Sequence, residues 1–341
     1  MVTYSAISRR MFVTAGSVGL ASLALPSIVR RARAATELTA VSSYQTDSVF
    51  NLPLKRLVEL VEQQSKGEVT IRFVGGPDAI PPLQAAEAVR NGVFDIALTT
   101  SSYFTAAMPE AIAFNAGKAD MSLDAIHRSG LFTLFDETLR RKLGTALLGL
   151  NMTGVGYVFL FAKEPRGLAE TFQSKKVRTA SLYEPLVKSL GGVSVTTPPT
   201  EAYASVERGV VDGLAWTTVG IRDYRFHEVA PHMLLPDFYA YRQVLMISPD
   251  RLDGLDGDTR ELLVRAAREA DDWGRQEAVR LVNEERAKMT EEGLKVSTLE
   301  TADAAKFLAL ADQTLWERIS AIIPEAESKA LREAFEKASS L

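Results

Sequence analysis

One sequence pattern occurs twice, and the two copies lie far apart along the chain. The first copy runs from Val69 to Thr100 and the second from Val193 to Thr218. In each copy, ten residues lead from the second residue of a Pro-Pro pair to a glycine, and three more lead to an aspartate. This pattern predicts a strand, a helix that begins at proline and ends at glycine, and a second strand. Two such units predict two similar α/β lobes with a ligand site between them.

The rest of the chain alternates strand-like and helix-like segments, which indicates the α/β class. Residues 146–150 and 156–162 are expected to be strands, the second crossing from one lobe to the other. Asp258 opens a capping pattern with Glu261 three residues on, and helical sequence then continues to about Gly293. About 35 residues of helix span roughly 50 Å at 1.5 Å per residue. That length suits a helix lying across both lobes.

The first 34 residues are expected to be a signal peptide. Ser8–Phe12 contains the arginine pair of a twin-arginine export signal, a modestly apolar run follows, and Ala32-Arg33-Ala34 supplies the small residues that a signal peptidase needs. An N-terminal membrane anchor is the alternative, but the run is short and rich in glycine for a membrane span. The sequence therefore predicts a protein exported to the periplasm.

Charge and cysteine content exclude several kinds of partner. Removing the five arginines of the signal leaves 34 basic and 43 acidic residues, a net charge of −9. Such a balance argues against nucleic acid and anionic membrane surfaces as partners. The sequence has no cysteine, so disulfides, thiol chemistry and a cysteine-linked lipid anchor are excluded.

Candidate binding residues follow from where strands end. Ligands of open α/β sheets bind beyond the carboxyl ends of the strands, where the repeat places Thr99 in one lobe and Trp216 in the other. Trp216 either stacks on a ligand or fills the core. Arg178 ends a predicted buried strand, where its guanidinium would require an anion such as a carboxylate. The alternative is a surface arginine beside Lys175 and Lys176.

The segments around these candidates resemble the extracytoplasmic solute-binding proteins of TRAP (tripartite ATP-independent periplasmic) transporters, the DctP type. The resemblance is strongest over 176–213, which includes Lys-Val-Arg, Gly-Gly-Val and Gly-Val-Val-Asp-Gly, and extends to 87–95 and 227–230. It implies a two-lobed periplasmic-binding-protein fold, type II-like, with crossing hinge strands and a long helix spanning both lobes.

The resemblance also implies a site. A strand-end arginine of this family binds the carboxylate of an organic acid, and Arg178 occupies that position. A residue shortly after Asp-Gly lines the same cleft, which falls on Trp216. Where the family often has a second cleft arginine this chain has Val158, which favours a smaller or less polar acid. The predicted ligand-binding residues are Arg178, Trp216, Tyr44, Tyr103, Ser181, Thr99 and Val158.

The predicted domain plan has three parts. Residues 1–34 form the signal peptide, 35–155 with 244–283 form the first lobe, and 156–243 with 284–341 form the second. The predicted function is capture of a small organic acid and its delivery to the small and large TRAP membrane subunits.

No catalytic activity is predicted. The sequence lacks a Gly-x-Ser-x-Gly elbow, a phosphate loop and a cysteine nucleophile, and its three histidines lack metal-ligand spacing. We therefore expect no metal and no cofactor. Two alternatives remain open, a binding protein of another transporter class and a periplasmic oxidoreductase that is exported folded.

Overall fold

The computed structural model describes residues 35–197 and 199–341. The predicted signal peptide, residues 1–34, lies outside the described residues, and its twin-arginine character stays a prediction. In the described part of the chain, no helix is long and apolar enough to cross a membrane.

Strands and helices alternate along the described chain. The strands are β1 (Thr36–Ser42), β2 (Val69–Gly75), β3 (Ile96–Thr100), β4 (Ala146–Phe161), β5 (Lys176–Thr179), β6 (Val193–Thr196), β7 (Gly213–Thr217), β8 (His232–Ile247) and β9 (Lys295–Thr298). The helices are α1 (Leu52–Ser65), α2 (Ala85–Arg90), α3 (Leu123–Ser129), α4 (Leu131–Leu143), α5 (Leu168–Phe172), α6 (Glu184–Ser189), α7 (Pro199–Glu207), α8 (Phe226–Val229), α9 (Pro249–Asp253), α10 (Gly257–Glu291), α11 (Thr301–Ile322) and α12 (Glu325–Ser340). Short 3-10 helices cover Val49–Asn51, Pro82–Gln84, Ser101–Tyr103 and Pro109–Asn115.

The strands are hydrogen-bonded in the order β2-β1-β3-β8-β4-β7-β5-β6, with β9 beside β8. β4 and β8, each of 16 residues, run antiparallel through the middle. β3 joins β8 and β7 joins β4, both antiparallel, while the pairs farther out are parallel. The two long strands thus connect a first half, built on β1–β3, to a second half, built on β5–β7.

The sequence predicted two separate strands where the structure has one, β4. Met152 and Gly154 adopt φ of 57° and 101°, and the register with β8 shifts between Asn151 and Val155. The interruption visible in the sequence is therefore an irregularity of the β-bulge kind, after which the strand resumes.

The repeated sequence forms equivalent structures in the two halves. Gly92 and Gly209 both adopt φ of 69°, a left-handed conformation that glycine accepts without strain. The Asp95 carboxylate accepts a hydrogen bond from a backbone N–H of β1 at 2.7 Å. The Asp212 carboxylate accepts one from a backbone N–H of β5 at 2.9 Å. The repeated aspartate therefore fixes one parallel strand against the next in each half.

The long helix predicted from the sequence is α10, which has 35 residues. Its N-cap is Asp256, whose side chain accepts a hydrogen bond from the Thr259 backbone N–H at 3.0 Å. The predicted capping residue, Asp258, lies inside the first turn instead. A cap must itself be non-helical, and the non-helical backbone here ends two residues earlier than the sequence pattern indicated.

The last two helices contact different parts of the structure. α11 packs against α6 of the second half and against the 3-10 helix Pro109–Asn115 of the first, whereas α12 packs against α3 and α4. The rings of Phe135 and Phe335 lie 6.0 Å apart, and Arg141 pairs with Glu327 at 3.1 Å. These contacts join α12 to the first half, and the predicted division of the chain into two lobes stays a prediction.

Candidate functional site

Arg178 lies at the carboxyl end of β5 and is only 2% exposed. Its Nε and Nη2 donate to the Thr197 carbonyl oxygen at 3.1 and 2.7 Å, and its Nη1 donates to the Tyr183 hydroxyl at 3.3 Å. Tyr183 in turn donates to the Ala215 carbonyl oxygen at 3.1 Å. A buried guanidinium is thus held in place by neutral oxygens, and its positive charge remains available to an anion.

Trp216, on β7, forms the wall beside this guanidinium. Its ring centroid lies 5.7 Å from the Arg178 Cζ. The ring packs edge-on against Tyr224 at 4.9 Å and against Phe226 at 5.2 Å. Among the described residues, the buried indole Nε1 has no hydrogen-bond partner. The Trp216 side chain as a whole is half-buried at the edge of the core.

Tyr44 belongs to the loop after β1 in the first half and is 8% exposed. Its hydroxyl and that of Tyr241 are 2.7 Å apart, and its ring lies 4.9 Å from the Phe50 ring. The turn after β2 packs directly on this loop, because a β-carbon built on Gly76 would lie 2.2 Å from the Tyr44 carbonyl oxygen. Tyr44 is consequently fixed between a turn of the first half and β8. The two long strands β4 and β8, which connect the halves, are called the hinge strands below.

Tyr103, in the turn after β3, faces the second half. Its pKa is raised to about 12, chiefly by burial and then by the neighbouring Tyr224, while the positive charge of Arg178 acts in the opposite direction. The influence of Tyr224 and Arg178 places this first-half side chain within electrostatic reach of the second-half site. The structure therefore brings Arg178, Trp216, Tyr44 and Tyr103 near one another, and their lining one ligand cleft stays a prediction.

The other three predicted residues are placed differently. Ser181 is half-buried, and its carbonyl oxygen accepts a hydrogen bond from Arg318. The Thr99 hydroxyl accepts from the Ser43 hydroxyl at 2.8 Å. Val158 is fully buried in the second-half core, as the cross-strand neighbour of Trp216. Of these side chains, Thr99 and Val158 are engaged within the protein, and a direct role in binding stays a prediction for all three.

Several tyrosines that the sequence reasoning missed complete the cleft. They are Tyr157, Tyr183, Tyr224 and Tyr241. Burial raises the pKa of all four hydroxyls. The pKa values of Tyr157 and Tyr241 lie well above the ordinary value for tyrosine. Tyr157 and Tyr241 lie on the two hinge strands, where a tyrosine among apolar residues at the crossing point would have been the available signal.

The mouth of the cleft is bridged by side chains from both halves. The Ser48 hydroxyl donates to the Asp223 carboxylate at 3.2 Å. Burial raises the pKa of Asp223, while the Ser48 hydrogen bond lowers it. The two halves are therefore in contact at the mouth, with a negative group on the second-half side.

Helix α10 contacts both halves through buried carboxylates. Asp271, 3% exposed, accepts from the Leu150 backbone N–H at 2.8 Å, and burial raises its pKa to about 8. Glu285, 7% exposed, accepts from the Gly220 backbone N–H at 2.9 Å, and burial raises its pKa to about 7. One helix thus fixes a hinge strand and a loop behind Trp216.

No group of three or more His, Asp and Glu side chains among the described residues is arranged to hold a metal ion. His227 is only 8% exposed, and its Nε2 lies 2.8 Å from Glu292. That pair is an intramolecular contact between α8 and the end of α10.

Comparison with known proteins identifies a family. A family model described as bacterial extracellular solute-binding protein, family 7 (DctP), matches residues 41–321. A solute-binding protein of Sulfitobacter sp. strain NAS-14.1 is 23% identical over 297 residues, which cover 85% of this chain and 89% of that protein.

Solved structures share the fold. A TRAP periplasmic solute-binding protein from Ochrobactrum anthropi, with its C-terminus bound in the ligand-binding pocket, has a TM-score of 0.78 at 18% identity and covers 90% of this chain and 96% of that one. DctP7 of Bordetella pertussis, an extracytoplasmic solute receptor binding pyroglutamic acid, has a TM-score of 0.76 at 15% identity and covers 89% and 100%. The two-lobed α/β fold predicted from the sequence is confirmed.

Proposed function

The chain belongs to family 7 of the bacterial extracellular solute-binding proteins, the DctP family of TRAP transporters, and we propose that its solute is a small organic acid held by its carboxylate. As a TRAP solute-binding protein it binds a small solute outside the cytoplasm and works with membrane components. We further propose that the solute leaves chemically unchanged, that the partners are the small and large TRAP membrane subunits, and that a twin-arginine signal directs export to the periplasm.

The observation that carries the carboxylate proposal is the environment of Arg178. Its side chain is 2% exposed, and its acceptors within the described residues, Thr197 and Tyr183, are neutral. A buried cation without a counter-charge is costly, and a ligand anion relieves that cost. A carboxylate matches the planar guanidinium with two parallel hydrogen bonds, which an ammonium group cannot provide.

The neighbouring structures support the same reading at the level of analogy. The pyroglutamic acid bound by the Bordetella pertussis protein is a carboxylic acid, and the Ochrobactrum anthropi protein holds a C-terminus, which ends in a carboxylate. Both are distant in sequence, so the argument for this chain rests on Arg178 itself.

The test is a binding screen of the mature protein against organic acids, followed by calorimetry. Carboxylates should raise the unfolding temperature, and their neutral amides should not. The leading acid is then titrated into wild type, Arg178→Ala and Arg72→Ala. Arg72 is an exposed strand arginine paired with Glu37, so it controls for loss of a positive charge. An amide that binds as tightly as its acid would overturn the proposal.

A further inference from the structure

The cleft is walled by a connected series of aromatic rings that begins in the first half. Tyr44 packs on Phe50 at 4.9 Å, and Phe50 packs on Tyr241 at 5.6 Å. Tyr241 lies 5.9 Å from Tyr157, which lies 5.6 Å from Tyr183. We call these five residues the aromatic wall. It crosses both hinge strands and ends at the tyrosine whose hydroxyl accepts from Arg178.

A second aromatic group flanks the guanidinium from the other side. Trp216 and Tyr224, here called the aromatic pair, lie 4.9 Å apart, and the Trp216 ring is 5.7 Å from the Arg178 Cζ. The body of an acid whose carboxylate is bound to Arg178 would therefore lie beside these aromatic rings. Such surroundings favour a flat, polarisable group over a puckered aliphatic one.

Several of the hydroxyl groups of this region are already engaged. Tyr44 and Tyr241 bond each other at 2.7 Å, Tyr183 donates to a backbone carbonyl, and Thr99 accepts from Ser43. A sugar acid buries several hydroxyls, each of which needs a partner when it leaves water. A body without hydroxyl groups makes no such demand.

The charges around the cleft disfavour a second carboxylate. Asp223 stands at the mouth, where Tyr224 lies within electrostatic reach of both Asp223 and Arg178. The next buried arginine along the hinge, Arg242, is turned away and donates to the carbonyl oxygens of Phe114 and Ala116, each at 2.8 Å. A dicarboxylate would bring its second anion toward Asp223, and the guanidinium of Arg242 is already engaged with backbone oxygens.

On the basis of the proposed function, we propose that this cleft selects aromatic monocarboxylic acids, with the carboxylate on Arg178 and the ring between the aromatic pair and the aromatic wall. The buried Nε1 of Trp216, which has no hydrogen-bond partner in the described part of the chain, supplies one further donor to the acid. Trp216 is then a residue that sets specificity, because it offers both a π-surface and a hydrogen bond.

The test compares matched probes by calorimetry on the mature protein. Benzoate should bind roughly three- to tenfold tighter than cyclohexanecarboxylate, which has similar size but no π-system. Phthalate, malonate and galacturonate should bind at least about tenfold more weakly than benzoate. Comparable affinity for cyclohexanecarboxylate, or tighter binding of malonate or galacturonate, would overturn the aromatic assignment.

Two variants test the role of Trp216. Trp216→Leu keeps an apolar side chain but removes the ring and its N–H, so the preference for benzoate over cyclohexanecarboxylate should fall to about one. Trp216→Phe restores a ring and should retain most of the preference. Both are first checked for wild-type thermal unfolding without ligand, because Trp216 also packs on Phe226. An unchanged preference in the leucine variant contradicts the assignment.

The two proposals fail in different ways. If malonate or galacturonate binds tightly and Arg178→Ala abolishes that binding, the organic-acid function stands and the aromatic assignment falls. If benzamide binds as tightly as benzoate, carboxylate recognition itself fails, and the proposed function falls with it.

Discussion

Gly220 of the second half lies directly against the ring of Phe50 in the first half. A β-carbon built on Gly220 would lie 2.8 Å from Phe50 Cε2 and 3.0 Å from Cζ, closer than carbon atoms pack. Ser48 and Asp223 are hydrogen-bonded beside this contact. The two halves thus meet at a point that admits no side chain, on a loop that Glu285 holds from behind.

This contact predicts that Gly220→Ala weakens ligand binding by blocking closure. The added methyl group would overlap the Phe50 ring, which is buried against Tyr44 and Tyr241, so we expect the Kd of the leading acid to rise about tenfold or more. Gly209→Ala is the matched control. Both glycines have positive φ, 78° and 69°, but nothing lies within 4 Å of a β-carbon at Gly209. Calorimetry that finds equal affinity in the two variants would show that the contact does not limit closure.

Binding of the acid should be weakened when Arg178 is replaced by alanine, and also when it is replaced by lysine. Arg178→Ala removes a charge-assisted, two-bonded contact and should cost roughly 2–5 kcal/mol of binding free energy. Arg178→Lys should recover only part of that loss, because an ammonium group cannot form the two parallel bonds. Titration calorimetry of both variants with the same acid tests this. A lysine variant with wild-type affinity would mean that charge alone is recognised.

Because Asp271 is buried, we expect it to contribute a part of the unfolding free energy that decreases as the pH rises. Its pKa is about 8 in the folded protein because it is buried, compared with about 3.9 in an unfolded chain. Between these values the folded state binds more protons than the unfolded state, so the free energy of unfolding decreases with rising pH. The loss begins near the unfolded pKa and is complete above about pH 8. Asp271→Asn, which resembles the protonated acid, should lack this component.

Urea unfolding at pH 5 and at pH 8.5 measures the effect of Asp271. The difference in unfolding free energy between Asp271→Asn and wild type should shift in favour of the variant by on the order of a few kcal/mol at the higher pH. Asp272→Asn changes the exposed neighbouring residue, whose charge contributes least to the raised pKa of Asp271, and should follow wild type closely at both pH values. Parallel behaviour of all three proteins would contradict the buried, protonated state of Asp271.

The fold was largely predictable because its signals are local or repeated. The proline, glycine and aspartate of each repeat carry their own turn and capping chemistry, and the helical pattern of α10 continues for all of its 35 residues. The bulge in β4 was harder to predict from the sequence, because nothing about a methionine at position 152 indicates a left-handed conformation, here with φ of 57°. Where the strand resumes is decided by pairing with β8, which is remote in sequence.

The site was only partly predictable, for a related reason. Arg178 and Trp216 follow strands that the sequence marks, whereas the partners that enclose them come from distant segments. The buried position of Glu285 is one feature of the site that the sequence pattern could have predicted. It lies four residues from both Leu281 and Met289, which are buried on the same face of α10. An acid in an apolar stripe indicates a buried polar contact, although not that its partner is Gly220.

The last prediction concerns the motion that ligand binding drives. Arg178 and Trp216 lie in the second half and Tyr103 in the first, so a ligand contacts both halves only when the cleft is closed. Ligand can shift that equilibrium only through its higher affinity for the closed form. The irregular stretch of β4 between Asn151 and Val155 is where the hinge strands can absorb the rotation. X-ray scattering of the mature protein should therefore give a smaller radius of gyration with saturating acid than without it. Gly220→Ala should reduce this change at the same fractional occupancy, while Gly209→Ala should not. An unchanged radius in wild type despite tight binding would mean that the acid enters a cleft that is already closed.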